Sequence, residues 1–298
     1  MAMNKGILFV VITAIVSGFS IFLNSFAVKG FDSSVFTFTK NTVVAILLFT
    51  LIYAISKCSE IKSLRKKHWK DLMIIGLIGG AIPFILFFKG LQMSTGTMGS
   101  FIHKILFIFA TVLAVFFLKE KPGKWMIIGG LGILTGTYLM IRPDFNLSMG
   151  HVLIFIAVVF WSVENILAKK ALHDLSGNIV ALGRMFFGSL FILIYLVFTG
   201  KAQMIFSMSS DQYVWIIITS LLLLVYVISY YNGLKNITVT AATAILSLGA
   251  PITALLGLAY GTGKISVYDS IGILLMIVGS VLIIYHSQSI SSKTVAGA

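Results

Sequence analysis

Phe87-Phe88-Lys89-Gly90-Leu91 returns 143 residues later as Tyr230-Tyr231-Asn232-Gly233-Leu234. The register holds downstream, where Thr97 falls on Thr240, and Gly129 and Gly136 fall on Gly272 and Gly279. Upstream the shift is 144, which sets Gly6 on Gly150 and Lys40 on Arg184. Apolar sequence supplies some matches by chance. The Gly-Leu pair and the two spaced glycines are harder to obtain that way. The chain therefore reads as two related units, 1–146 and 147–288, followed by a short tail at 289–298.

Composition says what each unit is. Of 298 residues, 58% are hydrophobic and 10% charged, against about 25% charged in globular domains. So few charges could not cover a water-soluble surface, and the apolar surplus has to face lipid. Apolar runs of about 18 to 22 residues mark membrane spans. They lie at 6–28, 35–55, 72–92, 97–118, 125–141, 151–171, 179–199, 213–232, 239–260 and 268–286. The fold class is all-α integral membrane: ten transmembrane helices, five per unit. Five is odd, so the second unit enters the bilayer from the opposite face. Two inverted five-helix repeats are an arrangement that exposes a midplane site to each side in turn.

Orientation follows from the basic residues. With the N-terminus inside, the inside segments hold Lys5, Lys57, Lys62, Arg65, Lys66, Lys67, Lys70, Lys119, Lys121, Lys124, Lys169, Lys170, Lys235 and Lys293. The outside segments hold only Lys29, Arg142, Lys201 and Lys264. This bias places both termini in the cytoplasm of a multi-pass protein of the cytoplasmic (inner) membrane. The net charge of +13 is then a property of loops, and no nucleic-acid partner is expected. Cys58 is the single cysteine, so no internal disulfide forms. The apolar run after Lys5 reaches Val28, which is too long for a cleaved signal.

Trp161-Ser162 in span six, Pro251 in span nine and the Leu118-Lys119-Glu120-Lys121 turn before a Gly-rich span five carry a family resemblance. The glycine-spaced spans Gly129 to Tyr138 and Gly272 to Ile284 carry it too. In order and repetition these motifs resemble the drug/metabolite transporter superfamily, specifically its EamA-type ten-helix carriers, over essentially the whole chain. There are departures. Ser17-Gly18 stands where the family often has a tryptophan, and Ile108 stands where the other half has Pro251. The second turn, Tyr260-Gly261-Thr262-Gly263-Lys264, lacks the glutamate. The resemblance implies a central cavity lined by spans one to four and six to nine, with Trp161 and Tyr230 as walls. It places spans five and ten at the periphery, available for homodimer contacts.

Ionisable residues inside spans are few. Each central charge costs about 2.5–3.5 kcal/mol on insertion scales. Glu164 is the one acid set deep, about fourteen residues into span six. Arg184, at similar depth in span seven, makes either a buried pair with it or a separate site. Glu164 unpaired would bind a cationic group or carry a proton. Lys40 and Lys89 lie in the outer half, where lysine stems snorkel; they are anchors or site residues. His103 and Lys104 point about 100° apart on a helix, so at most one of them faces lipid comfortably and both are candidates for the cavity. Four in-span cations against one acid favour an anionic or zwitterionic solute. Asn24, one turn from Ser20, gives span one a polar stripe. Asn24 and Asn232 line the path or bond between helices. Pro83 and Pro251 sit within spans three and nine, and each frees a carbonyl that needs a partner in lipid.

Gly261-Thr262-Gly263-Lys264-Ile265 fails the phosphate-loop spacing, and no zinc motif is present. No catalytic residue, metal or cofactor is assigned. The reading is a secondary transporter or facilitator of a small polar or amphipathic metabolite, such as an amino acid or related compound. The partners are the solute and the lipid bilayer. The competing classes are an integral-membrane enzyme, which needs polar groups clustered at one interface, and a non-transporting membrane subunit.

Overall fold

The structure is a computed structural model that describes residues 4–56, 58–142, 148–261 and 266–296. Lys57 and Lys264, counted among the loop cations, lie outside the described residues, as do Thr262 and Gly263. Among the described residues every regular element is helical. Among the described residues ten helices are long and apolar enough to cross a membrane. They are Lys5–Gly30, Ser33–Ile55, Lys66–Gln92, Gly96–Leu118 and Lys124–Ile141 in the first half. The second half has Met149–Ala171, Gly177–Phe198, Ser210–Asn236, Val239–Tyr260 and Val267–His286. They are called spans one to ten below. The helix that carries span ten continues to Ala296.

Helix starts follow the local chemistry. The side chains of Ser148, Ser176, Ser209 and Thr238 each accept a hydrogen bond from an amide in the first turn of spans six, seven, eight and nine. Such caps satisfy donors that a helix leaves unpaired at its N-terminus. Span three begins at Lys66, ahead of its apolar run, because Lys66 to Asp71 form a polar first turn and a half.

Lipid gives helices no hydrophobic reason to associate, so close packing has to come from small residues. The repeat places those residues. A Cβ built at Gly90 would lie 2.6 Å from the Gly150 carbonyl oxygen, and one at Gly150 would lie 2.9 Å from that of Gly90. Their repeat counterparts are Gly233 and Gly6, and a Cβ at Gly233 would lie 3.0 Å from the Gly6 oxygen. The crossing of span three with span six thus recurs as the crossing of span eight with span one. Spans five and ten cross the same way, through Gly129 against Gly279 and Gly136 against Gly272.

Three spans are interrupted. Span three is α-helical over Lys66–Ile75, π-helical over Gly76–Ala81 and α-helical again over Ile82–Gln92. Span four breaks at Ile105, between Gly96–Lys104 and Leu106–Leu118. Span nine breaks at Ser247 and Leu248, between Val239–Leu246 and Gly249–Tyr260. Ile105 and Leu248 are repeat counterparts, so the break occurs in both halves although only span nine has a proline beside it. Pro83 and Pro251 both sit in the first turn of the restarted helix. There the missing N–H is tolerated.

Candidate substrate chamber

A chamber lies at mid-depth between the halves. Its walls come from spans one to four and six to eight. Ser17, Ser20, Asn24, Lys40, Phe84, Phe87 and His103 line the first-half side. Trp161, Glu164, Asn165, Arg184, Tyr226 and Tyr230 line the second. The free volume is about 60 Å³, room for a few water molecules.

The walls obey the repeat register. Ser17, Ser20 and Ile21 correspond to Trp161, Glu164 and Asn165, and Lys40 corresponds to Arg184. Phe87 and Phe88 correspond to Tyr230 and Tyr231. Each half therefore offers a cation on its second span facing an aromatic ring on its third. The Lys40 Nζ lies 4.4 Å from the centre of the Phe88 ring. The Arg184 guanidinium carbon lies 5.8 Å from the centre of the Tyr231 ring.

The halves differ in what else holds the cation. Arg184 is buried and donates from Nη1 to the Tyr231 hydroxyl at 2.9 Å. That hydroxyl donates in turn to Glu164 Oε1 at 2.5 Å. The expected pairing of Glu164 with Arg184 is thus relayed by a tyrosine of span eight, which ties three helices together. Lys40, also buried, donates to Asn24 Oδ1 at 2.8 Å and faces the rings of Phe36 and Phe88. Both of its kinds of partner are uncharged. Asn24 is held by its own donation to the Ser20 carbonyl.

Pro83 explains the centre of the chamber. In an unbroken α-helix its N–H would bond the carbonyl of Gly79, four residues back. Trp161 Nε1 and Arg184 Nε donate to that oxygen instead, at 2.9 and 3.1 Å. Gly79 must be a glycine, because a Cβ there would lie 2.3 Å from Glu164 Cγ. π-Helical turns of this kind recur at functional sites.

His103 and Lys104 are both buried. Both belong to the regular helix Gly96–Lys104, and spans one, three and six cover the two faces that carry them, so the 100° between them does not force either into lipid. His103 lines the chamber against the rings of Trp161 and Phe87. Lys104 lies behind it, with Nζ donating to Ser17 Oγ at 2.9 Å. Tyr230 donates to Asn165 Oδ1 and stacks on Tyr226. Two expected site residues lie elsewhere. Lys89 is exposed and reaches Gln92 at 3.4 Å, the disposition of a snorkelling anchor. Asn232 donates to Asn178 and joins spans seven and eight. Pro251 is not among the chamber residues. Tyr231 and Gly79 were not singled out from the sequence. The pairing of Tyr231 with Phe88 and the Gly79-Gly80 doublet before Pro83 are the signals that mark them.

Polar links join the spans at both ends of the bundle. At one, the Glu120 carboxylate accepts from the amides of Val239 and Thr240 at 2.7 and 3.0 Å. There Lys169 also donates to the carbonyls of Leu234 and Ile237. At the other, Lys201 and Asp32 are 2.7 Å apart and join the halves. Burial pushes the Asp32 carboxyl up. The Lys201 hydrogen bond and the amides of Ser34 and Val35 outweigh it and hold the carboxyl below its usual range. Asp32 is therefore ionised at neutral pH.

Ten spans, a repeated five-helix unit and a polar chamber at mid-depth define a multi-pass membrane transporter. The EamA-like transporter family matches the chain twice, over residues 4–142 and 148–285, and the chain belongs to that family. It is 25% identical over 304 aligned positions to an uncharacterized transporter of Clostridium kluyveri, covering 94% of this chain and 93% of that protein. It is also 25% identical over 228 positions to the uncharacterized transporter YyaM of Bacillus subtilis, covering 73% of this chain and 74% of that one. A crystal structure of another protein, 14% identical, superposes with a TM-score of 0.74 over 97% of this chain and 99% of its own. That likeness concerns the fold.

Proposed function

We propose that the protein is a secondary transporter or facilitator that moves a small anionic or zwitterionic metabolite across the cytoplasmic membrane by alternating access. An amino acid or a related compound has the required chemistry. The carrying observation is the unequal pair of counterparts, Lys40 and Arg184. Glu164 answers Arg184 through Tyr231, whereas Lys40 has only neutral partners. A carboxylate of the solute would offset the cost of that buried cation. The surrounding Phe87, Trp161, Tyr226 and Tyr230 suit an amphipathic body. The present chamber has room only for a few waters, so admitting a solute requires the halves to move apart on one side. Inverted repeats provide that motion.

The polar groups gather at mid-depth between the two five-helix units rather than at one interface, which favours transport over membrane-bound catalysis. Both termini face the cytoplasm in this reading. Epitope tags at Met3 and Ala298 are expected to be accessible from that one face; access from opposite faces would remove the inversion.

The solute is to be found by thermal-shift screening of purified protein. A ligand at a hundred times its dissociation constant adds about 2.7 kcal/mol of stability. Flux in proteoliposomes follows. Lys40→Met is expected to weaken uptake of the anionic solute by tenfold or more. Uptake of a purely cationic solute, unchanged by Lys40→Met or Lys104→Met, would overturn the assignment.

A further inference from the structure

A second hollow, of about 400 Å³, lies between spans two, three and seven, away from the chamber. Its lining is almost wholly apolar, with Ile46, Phe49 and Phe186 half open to the lipid side. Along span seven it runs from Ile179 to Ser189, ten residues or about 15 Å. That is the depth of one leaflet of a hydrocarbon core about 30 Å thick. The mouth is built by the short helix Ser59–Lys62 and the start of span three. Ile61 and Leu64 turn into the hollow, and the neighbouring Lys62 and Arg65 are exposed. Trp69 lines it three residues after exposed Lys66, on the same helix face.

Two of the acids near this mouth have other partners, and Asp71 lines a separate hollow with Lys67 and His68. Glu60 accepts from Ser176 Oγ at 2.5 Å, and Asp174 takes Lys67 and His68. The collar of Lys62, Arg65 and Lys66 thus has no ion-pair partner within 4 Å among the described residues. A leaflet-deep apolar slot with a cationic rim matches one class of occupant. We propose that it holds an acyl chain of an anionic glycerophospholipid, whose phosphate headgroup sits on Lys62, Arg65 and Lys66. This assignment does not depend on the solute or on the transport reading.

The test is native mass spectrometry of the purified full-length protein, titrated with phosphatidylglycerol and with phosphatidylcholine of the same acyl chains. Phosphatidylglycerol is expected to bind at least tenfold more tightly. Each rim cation is worth about fivefold. Lys62→Gln, Arg65→Gln and Lys66→Gln together are expected to erase the preference, weakening phosphatidylglycerol far more than phosphatidylcholine. Leu182→Trp, which fills the hollow, is expected to weaken both lipids alike. Ile46→Trp, at its lipid-facing edge, gives the same readout should Leu182→Trp fail to fold. Equal binding of the two lipids by the unaltered protein, or a preference that survives the triple substitution, would overturn the proposal.

Discussion

Arg184→Leu is expected to lower the unfolding free energy by about 3–5 kcal/mol, and adding Glu164→Leu is expected to restore part of it. Arg184 is 4% exposed and bonds the Gly79 carbonyl and the Tyr231 hydroxyl. Its guanidinium also lies over the Phe84 ring at 5.2 Å. Leucine removes all three contacts and leaves the Glu164 carboxyl buried, still bonded by Tyr231 but without the nearby guanidinium. Removing the carboxylate as well takes away the stranded charge. Residues in one network couple by about 0.5–3 kcal/mol, so the double variant should be more stable than the summed single losses predict. Lys89→Leu, at an exposed position, should stay within about 0.5 kcal/mol of the parent. Denaturant unfolding in detergent, followed by tryptophan fluorescence, measures all four. Simple additivity of Arg184→Leu and Glu164→Leu would mean that Tyr231 does not join them.

The sequence located the cations of the chamber better than it located their contacts. Hydropathy is a one-dimensional signal, so it marked where each helix enters the hydrocarbon and set Glu164 and Arg184 at matching depth. It missed the polar start of span three at Lys66, because those residues lie outside the apolar run. The repeat register went further, since equating Lys40 with Arg184 put both on one pseudo-symmetric wall. Rotation about a helix axis was not legible. Lys40 and Lys89 are the same residue type in the same half of the membrane, yet one turns to Asn24 and the other to the surface. The break at Ile105 has no proline to announce it, and the burial of both His103 and Lys104 comes from spans six and one covering span four on two faces. The Tyr231 relay needs three helices to meet at one point, which no single segment encodes.

The glycines of spans five and ten admit a sharper test, because neighbouring positions in one helix should respond with opposite sign. Gly136→Ala is expected to destabilise by about 1–3 kcal/mol, the range for forcing an added methyl into a packed contact. Its Cβ would lie 2.5 Å from the Gly272 carbonyl oxygen, backbone that moves only if the two helices separate. Gly132→Ala, one turn away, meets nothing nearer than 3.6 Å. There the better helix propensity of alanine should make the change neutral or stabilising by up to about 1 kcal/mol. Propensity is common to both positions, so their difference isolates the crossing. The repeat supplies an internal replicate. Gly279 is the counterpart of Gly136, and its Cβ would lie 2.5 Å from the Gly129 oxygen. Gly279→Ala should therefore cost about as much as Gly136→Ala. Midpoints of thermal unfolding in detergent, with oligomeric state read in parallel by size exclusion, decide what these glycines do. A seam inside one chain predicts lost stability at an unchanged oligomeric state. A change of oligomeric state without lost stability would instead assign the glycines to contact between copies.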